Sequence, residues 1–392
     1  MTDTRPLIYL DHAATSWPKP EVVSETMVRF LRDVGANPGR SGHRLANAAE
    51  RVRFDAREAI AELFGARDPL RVVFTLNGTT ALNLVIRGLL PPGAHVITTG
   101  MEHNAVMRPL REVEQRGVAV SVVPCGPDGL LDPAAIDEYF QPETRLVVAN
   151  HASNVCGAIL PIQALGAAAR DRGVPFLVDA AQTTGCVPID LAADHVDLLA
   201  FTGHKCLLGP TGTGGLVIGE EFDVTPLPPL VAGGTGSRSE HEIQPDFLPD
   251  RYEAGTPNIV GLAGLVAGVR TVLDQGVGAM QRQMREVTQP LLDGLTSIPG
   301  VQVFGPGDVT RQTAVVSFVI AGQSPSQTAA ALDERFGILC RPGLHCAPAA
   351  HRTLETVPEG TVRFSPGPFI TAKEIEVAVR AVRELAGVES RG

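Results

Sequence analysis

Lys205 stands between an apolar run, residues 196–201, and a glycine-rich stretch, Gly209-Pro-Thr-Gly-Thr-Gly-Gly215. Flanks of this kind aim a lysine into an interior walled by close backbone, away from a solvated face. Three further groups come earlier in the chain, each at the end of an apolar run. Leu76-Asn-Gly-Thr-Thr-Ala81 opens a helix, so backbone N–H groups and the hydroxyls of Thr79 and Thr80 gather where anions bind. A plain helix cap has the same composition. His103, in Met101-Glu-His-Asn104, is placed to stack on a planar ligand, to relay a proton, or only to bond its own loop. Asp179 ends Phe176-Leu-Val-Asp179, with Gln182 three positions on. A carboxylate at the end of a buried strand is costly unless it meets a cation or a strong donor, although capping the next segment is an alternative use. An anion cradle, then Asp179, then Lys205 26 positions later fit the demands of pyridoxal phosphate. The phosphate takes the helix end, Asp179 keeps the ring nitrogen protonated, and Lys205 holds the aldehyde covalently.

The elements that must position these groups follow a βα rhythm. Helical periodicity predicts helices over 21–31, 46–63, 79–89, 108–115 and 162–170. Strand-like runs cover 71–76, 95–99, 118–123, 146–149, 175–178 and 196–201. These strands are mainly apolar and do not alternate, which predicts an α/β fold with a mostly parallel sheet covered on both faces. Functional groups then collect at the carboxyl ends of the strands. Residues 220–257, rich in Pro, Gly and charge, read as an irregular loop facing the site. Beyond them come a helix over 259–273 continuing as a second to 295, strands over 301–304, 314–320 and 338–341, and helices over 326–336 and 371–385. This predicts a large domain over 16–257 and a smaller α+β domain over 258–392 joined by residues 1–15.

Composition narrows the partners. The chain has 392 residues, 44% hydrophobic and 19% charged, with a net charge of -10. Such a balance argues against nucleic acid or an anionic membrane as the main partner. The start, Met1-Thr-Asp-Thr-Arg-Pro-Leu7, has no apolar signal core, and the small-residue run 259–269 is too short to span a bilayer. Six cysteines without zinc-knuckle spacing suit a reducing, cytoplasmic setting. The glycine stretch after Lys205 lacks the Gly-Lys-Ser/Thr ending of a nucleotide loop.

The chain resembles, over nearly its whole length, the class V aminotransferase family of fold-type I pyridoxal-phosphate enzymes, and within it the cysteine desulfurases. The resemblance rests on Tyr9-Leu-Asp-His-Ala-Ala-Thr15, Asn77-Gly-Thr-Thr80, Glu102-His103, Ser153-Asn154, Val178-Asp-Ala-Ala-Gln182, Thr202-Gly-His-Lys205, Gly255-Thr-Pro-Asn258 and Arg341-Pro-Gly-Leu-His-Cys346. It implies that Lys205 carries the cofactor, Asp179 partners the ring nitrogen, Gln182 donates to the ring hydroxyl and His103 stacks on the ring. Thr80, Thr202 and His204 become phosphate ligands, joined by Thr256 of the other subunit of a homodimer. Asn154 comes near the substrate and the ring hydroxyl, Arg363 grips the substrate carboxylate, and Arg341 and His43 line the substrate pocket.

By the same resemblance Cys346 is the nucleophile that attacks the sulfur of L-cysteine, yielding alanine and an enzyme persulfide. Gly343, Pro342 and Pro348 place it in a loop, although most free cysteines are small buried hydrophobes. His345 and Arg341 are expected to favour its thiolate, by their positive charge or by proton transfer. A zinc site at Cys340, His345, Cys346 and His351 lacks a second paired motif. The cysteine segment departs from the commoner Arg-x-Gly-His-His-Cys form, and Gly360-Thr-Val-Arg-Phe-Ser-Pro-Gly367 is also a variant. The short cysteine loop resembles that of group II enzymes, which favour a dedicated acceptor protein or use selenocysteine. Selenocysteine lyase or another C–S lyase, a true class V aminotransferase, and a non-catalytic scaffold are the rival readings.

Overall fold

The computed structural model describes residues 7–39 and 42–388. The chain runs β1 (Ile8–Tyr9), α1 (Glu21–Asp33), α2 (Arg44–Phe64), β2 (Val72–Thr75), α3 (Gly78–Leu89), β3 (His95–Thr99), α4 (Asn104–Glu114) and β4 (Ala119–Val123). It continues through β5 (Thr144–Asn150), α5 (Ile162–Arg170), β6 (Phe176–Asp179), β7 (Leu198–Thr202), β8 (Gly214–Ile218), α6 (Ile259–Gln275) and α7 (Val277–Thr296). The last part is β9 (Val301–Phe304), β10 (Val316–Ile320), α8 (Pro325–Phe336), β11 (Ile338–Leu339), β12 (Arg341–Gly343), α9 (Pro348–Thr353), β13 (Thr361–Phe364) and α10 (Ala372–Leu385).

Seven strands form the large sheet in the order β2-β8-β7-β6-β5-β3-β4. β3 to β7 and β4 pair in parallel, and β8 alone runs against its neighbours. The apolar strands are explained by burial on both sides. On β5, Val147 and Ala149 join the core under α2, α5 and α6, whereas Leu146 and Val148 face α3 and α4. Each side chain alternates between two dry layers, so no polar position interrupts the run.

β8 escapes a reading by pattern because it opens with two glycines inside a glycine-rich stretch. The strand needs them: a Cβ on Gly215 would stand 2.4 Å from the Val73 carbonyl oxygen and 2.6 Å from the Phe201 ring. α4 begins at Asn104, four residues before its expected start at 108, and tolerates Pro109 in its interior. α6 lies beyond residue 257, where the sequence puts the domain boundary, yet its Ile259, Leu262 and Leu265 pack in the core of the large sheet. Among the described residues no single helix is long and apolar enough to cross a membrane, and α6 meets α7 at 81°.

A second sheet, β12-β13-β10-β9, packs with α7, α8 and α10. The N-terminal β1 pairs in parallel with β11 and buries Ile8 and Leu10 in this second core. Residues 1–6 and 389–392 of the expected small unit lie outside the described residues.

One buried ion pair ties the irregular 219–258 segment to the large sheet. Glu253 accepts from Arg57 of α2 at 2.5 Å and from the Phe74 backbone N–H at 2.6 Å. The Arg57 guanidinium also lies over the Phe74 ring and donates to the Val72 carbonyl. Arg57→Ala leaves a buried carboxylate with one partner gone, and such losses cost about 3–5 kcal/mol. The expected outcome is a clearly lower urea midpoint, with the Arg57→Met, Glu253→Gln double variant less affected. Equal losses in the single and double variants would count against this account.

Candidate active site

The carboxyl ends of β2, β3, β5, β6 and β7 meet at one cavity of about 240 Å³. It is lined by Thr79, His103, Asn154, Asp179, Gln182, Thr202, His204, Lys205, Arg341 and Arg363, all singled out from the sequence. From Thr79 to Lys205 these residues converge because parallel strands deliver their ends to one side, and the two arginines are added by the second sheet.

One corner is built for an anion. Gly78 and Thr79 form the N-terminus of α3, whose cap Asn77 accepts from the Thr80 N–H at 2.9 Å. Thr202 Oγ1 and His204 Nδ1 are buried, and among the described residues neither has a hydrogen-bond partner. Buried polar atoms are nearly always satisfied, so a group that completes them belongs here. Thr80 itself is not in the lining; its hydroxyl bonds back to Asn77 at 3.1 Å, the cap alternative seen in the sequence.

The polar ends of the strands are held in register. Asn150 of β5 faces Asp179 of β6, which faces Ala200 of β7. Asp179 is 6% exposed and accepts from the Ala181 N–H at 3.0 Å. Burial raises its carboxyl above the usual range, and the Ala181 N–H and Lys205 pull it back. Such an acid takes up a charged N–H donor readily. Burial pushes the Lys205 ammonium down to about 8, with Asp179 opposing the fall. That places a free amine within reach at neutral pH.

His103 caps α4, its Nδ1 accepting from the Ala105 N–H at 3.0 Å. Burial, with help from Lys205 and Arg341, pushes it down to about 4. It is therefore a neutral ring with its proton on Nε2. Its neighbour Glu102, absent from the sequence-derived set of site residues, is fully buried and pushed up to about 8 by burial. Glu102 receives the Thr99 hydroxyl at 2.6 Å and the Asn150 N–H at 2.9 Å, fixing two strand ends together.

The second sheet supplies two arginines. Arg341 on β12 lies directly across from Arg363 on β13. Arg363 is 1% exposed and is held by Asp11 at 2.5 Å and by the Asn154 carbonyl at 3.1 Å. Facing arginines with, among the described residues, the one carboxylate of Asp11 on Arg363 favour a bound anion such as a substrate carboxylate. Asp11 was legible only as part of the Tyr9–Thr15 motif.

Cys346 lies at the mouth, exposed and outside the lining itself, with its Sγ 3.2 Å from an Arg341 N–H donor. His345 and Cys346 both adopt left-handed backbone, at φ 48° and 59°. Non-glycine residues take this conformation at a cost, and here surrounding bonds enforce it. Asn154 Nδ2 donates to the His345 carbonyl at 2.7 Å and the Asn104 N–H to the Cys346 carbonyl at 2.8 Å. Of the two expected routes of assistance from His345, positive charge is corrected. The ring is buried, bonded through Nε2 to the Thr361 hydroxyl, and pushed down to about 2 by burial and the Arg363 charge. It is neutral, and the positive charge near the thiol comes from Arg341, in contact with it, and from Arg363 behind.

Two expected residues lie elsewhere. His43 is exposed and caps α2, its Nδ1 accepting from the Ala46 N–H at 3.1 Å. Thr256 is exposed and outside the lining of its own chain's cavity.

This fold and this convergence define a protein of the class V aminotransferase type, and the chain belongs to that family: Aminotransferase class-V matches residues 8–377. The chain is 35% identical over 384 residues to a probable cysteine desulfurase of Methanothermobacter thermautotrophicus, covering 97% of this chain and 95% of that one. A probable cysteine desulfurase of Pyrococcus abyssi is 33% identical over 390 residues, with 97% and 95% covered. The apo structure of a cysteine desulfurase from Thermococcus onnurineus superposes with a TM-score of 0.91 at 34% identity, covering 97% and 95%. A cysteine desulfurase of Escherichia coli in its S-sulfonic acid form gives 0.86 at 30% identity, covering 97% and 94%. The family is dependent on pyridoxal phosphate. The cavity fits that group: two unsatisfied polar atoms beside a helix N-terminus, a buried acid and a free amine match its phosphate, ring nitrogen and aldehyde in type.

Proposed function

We propose that the protein is a pyridoxal-phosphate-dependent cysteine desulfurase that converts L-cysteine to L-alanine and leaves the sulfur on Cys346. The observation that carries this reading is the Cys346 thiol held 3.2 Å from Arg341, itself a wall of the cavity that contains Lys205 and Asp179. Thr79, Thr202 and His204 would hold the phosphate, and Asp179 would keep the proton on the ring nitrogen. When bound, the cofactor supplies an electron sink that makes loss of the substrate Cα proton affordable.

The chain's own groups do the rest. Arg363, fixed by Asp11, takes the substrate carboxylate and sets its orientation. Lys205 Nζ accepts and returns the proton at Cα. His103, neutral, walls the cavity beside it. The Cys346 thiolate attacks the substrate sulfur: an S–S bond forms, the Cβ–S bond breaks, and its electron pair stays with Cβ, which takes a proton to become the methyl group of alanine. The exposed position of Cys346 leaves the persulfide open to an acceptor.

In the same proposal the active unit is a homodimer in the cytoplasm, with Thr256 reaching the partner's phosphate site. Its exposure and its absence from its own cavity support that role. The test is alanine and sulfide release from L-cysteine by purified protein beside the same assay with selenocysteine. Transamination of a keto acid without sulfide release would overturn the desulfurase reading.

The lowered Lys205 pKa adds a pH signature. The amine must be deprotonated to capture the cofactor aldehyde, and with a pKa of about 8 roughly one molecule in ten is so at pH 7. Capture of pyridoxal phosphate by the apo-protein, followed by visible absorbance, is expected to speed up about tenfold per pH unit below about 8 and to level off above it. A rate that keeps rising to about 10.5 would show an ordinary lysine.

A further inference from the structure

Cys186 and Cys206 lie on different segments and meet behind the site. Both are buried, 3% and 7% exposed, in one small cluster with Val187, Met284 and Ala314. Their backbones touch one residue away. Gly185 has φ 90°, and a Cβ there would stand 2.9 Å from the Cys206 carbonyl oxygen. Cys186 Sγ lies 3.4 Å from the Gln182 carbonyl, and Cys206 directly follows Lys205, so the pair links the two segments that carry these cavity residues. The desulfuration chemistry above uses neither thiol.

The surroundings favour reactivity at Cys206. The neighbouring Cys186, together with His12 and Lys205, holds the Cys206 thiol well below its usual range against the effect of burial. Lys19 is also close: its Nζ donates to the His204 carbonyl at 2.9 Å, and Cys206 counters the fall in its pKa caused by burial. A thiol in a cationic setting with a second thiol beside it is the arrangement in which oxidation stops at a disulfide.

We propose that Cys186 and Cys206 form a redox-active thiol pair, closed to a disulfide by a two-electron oxidant of the hydroperoxide class. The link ties the Gln182 turn to the Lys205 loop. The Cys206 sulfur attacks a peroxide oxygen, the O–O bond breaks, and the departing hydroxide takes the thiol proton as water. The Cys186 sulfur then attacks the Cys206 sulfenic acid, an S–S bond forms, and the second hydroxide leaves as water with the Cys186 proton. The two thiols lose two electrons and the peroxide gains them.

The experiment uses Cys346→Ala protein, which lacks the exposed thiol at the mouth, treated with hydrogen peroxide. Remaining thiols are blocked with N-ethylmaleimide under denaturing conditions, and peptides are mapped by mass spectrometry. The expected result is one linked pair containing Cys186 and Cys206, lighter by two hydrogens than the separate peptides and lost on reduction. In Cys186→Ser and Cys206→Ser proteins in the same background the link is absent. Recovery of both cysteines as N-ethylmaleimide adducts, or a link to a different cysteine, would overturn the proposal.

Discussion

Replacing Cys346 by alanine is expected to cut alanine formation from L-cysteine by on the order of 10³-fold or more, while the protein stays yellow. The effect follows from position. Cys346 is outside the cavity lining, and among the described residues its one side-chain hydrogen bond is with Arg341. Its removal therefore leaves the cofactor groups intact and deletes only the nucleophile. An exposed residue of this kind changes stability by about 0.5 kcal/mol or less. The check is a steady-state assay of alanine beside a visible spectrum for each protein. A variant retaining near-normal rates would remove the nucleophile from the account.

Replacing Lys205 by alanine is expected to abolish both colour and turnover. The amine captures the cofactor and also moves the Cα proton, and proton transfer alone contributes about 10²–10⁴-fold. Lys205→Arg keeps the charge without the nucleophile and is expected to fail equally. Stability should move the other way. The folded-state pKa of Lys205, about 8, lies below its ordinary value, so the folded chain binds that proton less well than the unfolded one. The charged lysine thus costs stability below about 8, a cost that fades as pH rises through the folded pKa toward the unfolded one. Apo Lys205→Ala protein is expected to melt at or above the wild-type temperature at neutral pH. Retained covalent cofactor after dialysis of Lys205→Ala would show that another group holds it.

Much of this architecture was legible because burial on both faces leaves an apolar run for each central strand. The strands carrying Thr99, Asn150, Asp179 and Thr202 all register in this way. What escaped lies where one residue type serves two purposes. Gly214 and Gly215 read as loop, yet they open a strand whose neighbours leave no room for a Cβ. His43, assigned by resemblance to the substrate pocket, also caps α2 and lies outside the cavity lining of its own chain. His345 beside a cysteine suggests a cation, but burial and nearby Arg363 make it neutral. Arg363 sits on a four-residue strand between Gly360 and Ser365, so its link to Asp11 depends on pairings between the chain's two ends that no local pattern reveals. Glu102 is quoted in a motif, and only tertiary structure shows it joining β3 to β5.

The central claim is that Cys346 takes the sulfur, and the most direct measurement is the mass of its peptide after one turnover. Protein loaded with pyridoxal phosphate is mixed with L-cysteine without reductant or acceptor, blocked with an alkylating agent and digested. The account predicts one added sulfur atom on the peptide containing Cys346, lost on treatment with a thiol, with alanine formed in equal amount. Alanine formed while Cys346 carries no added sulfur would contradict it.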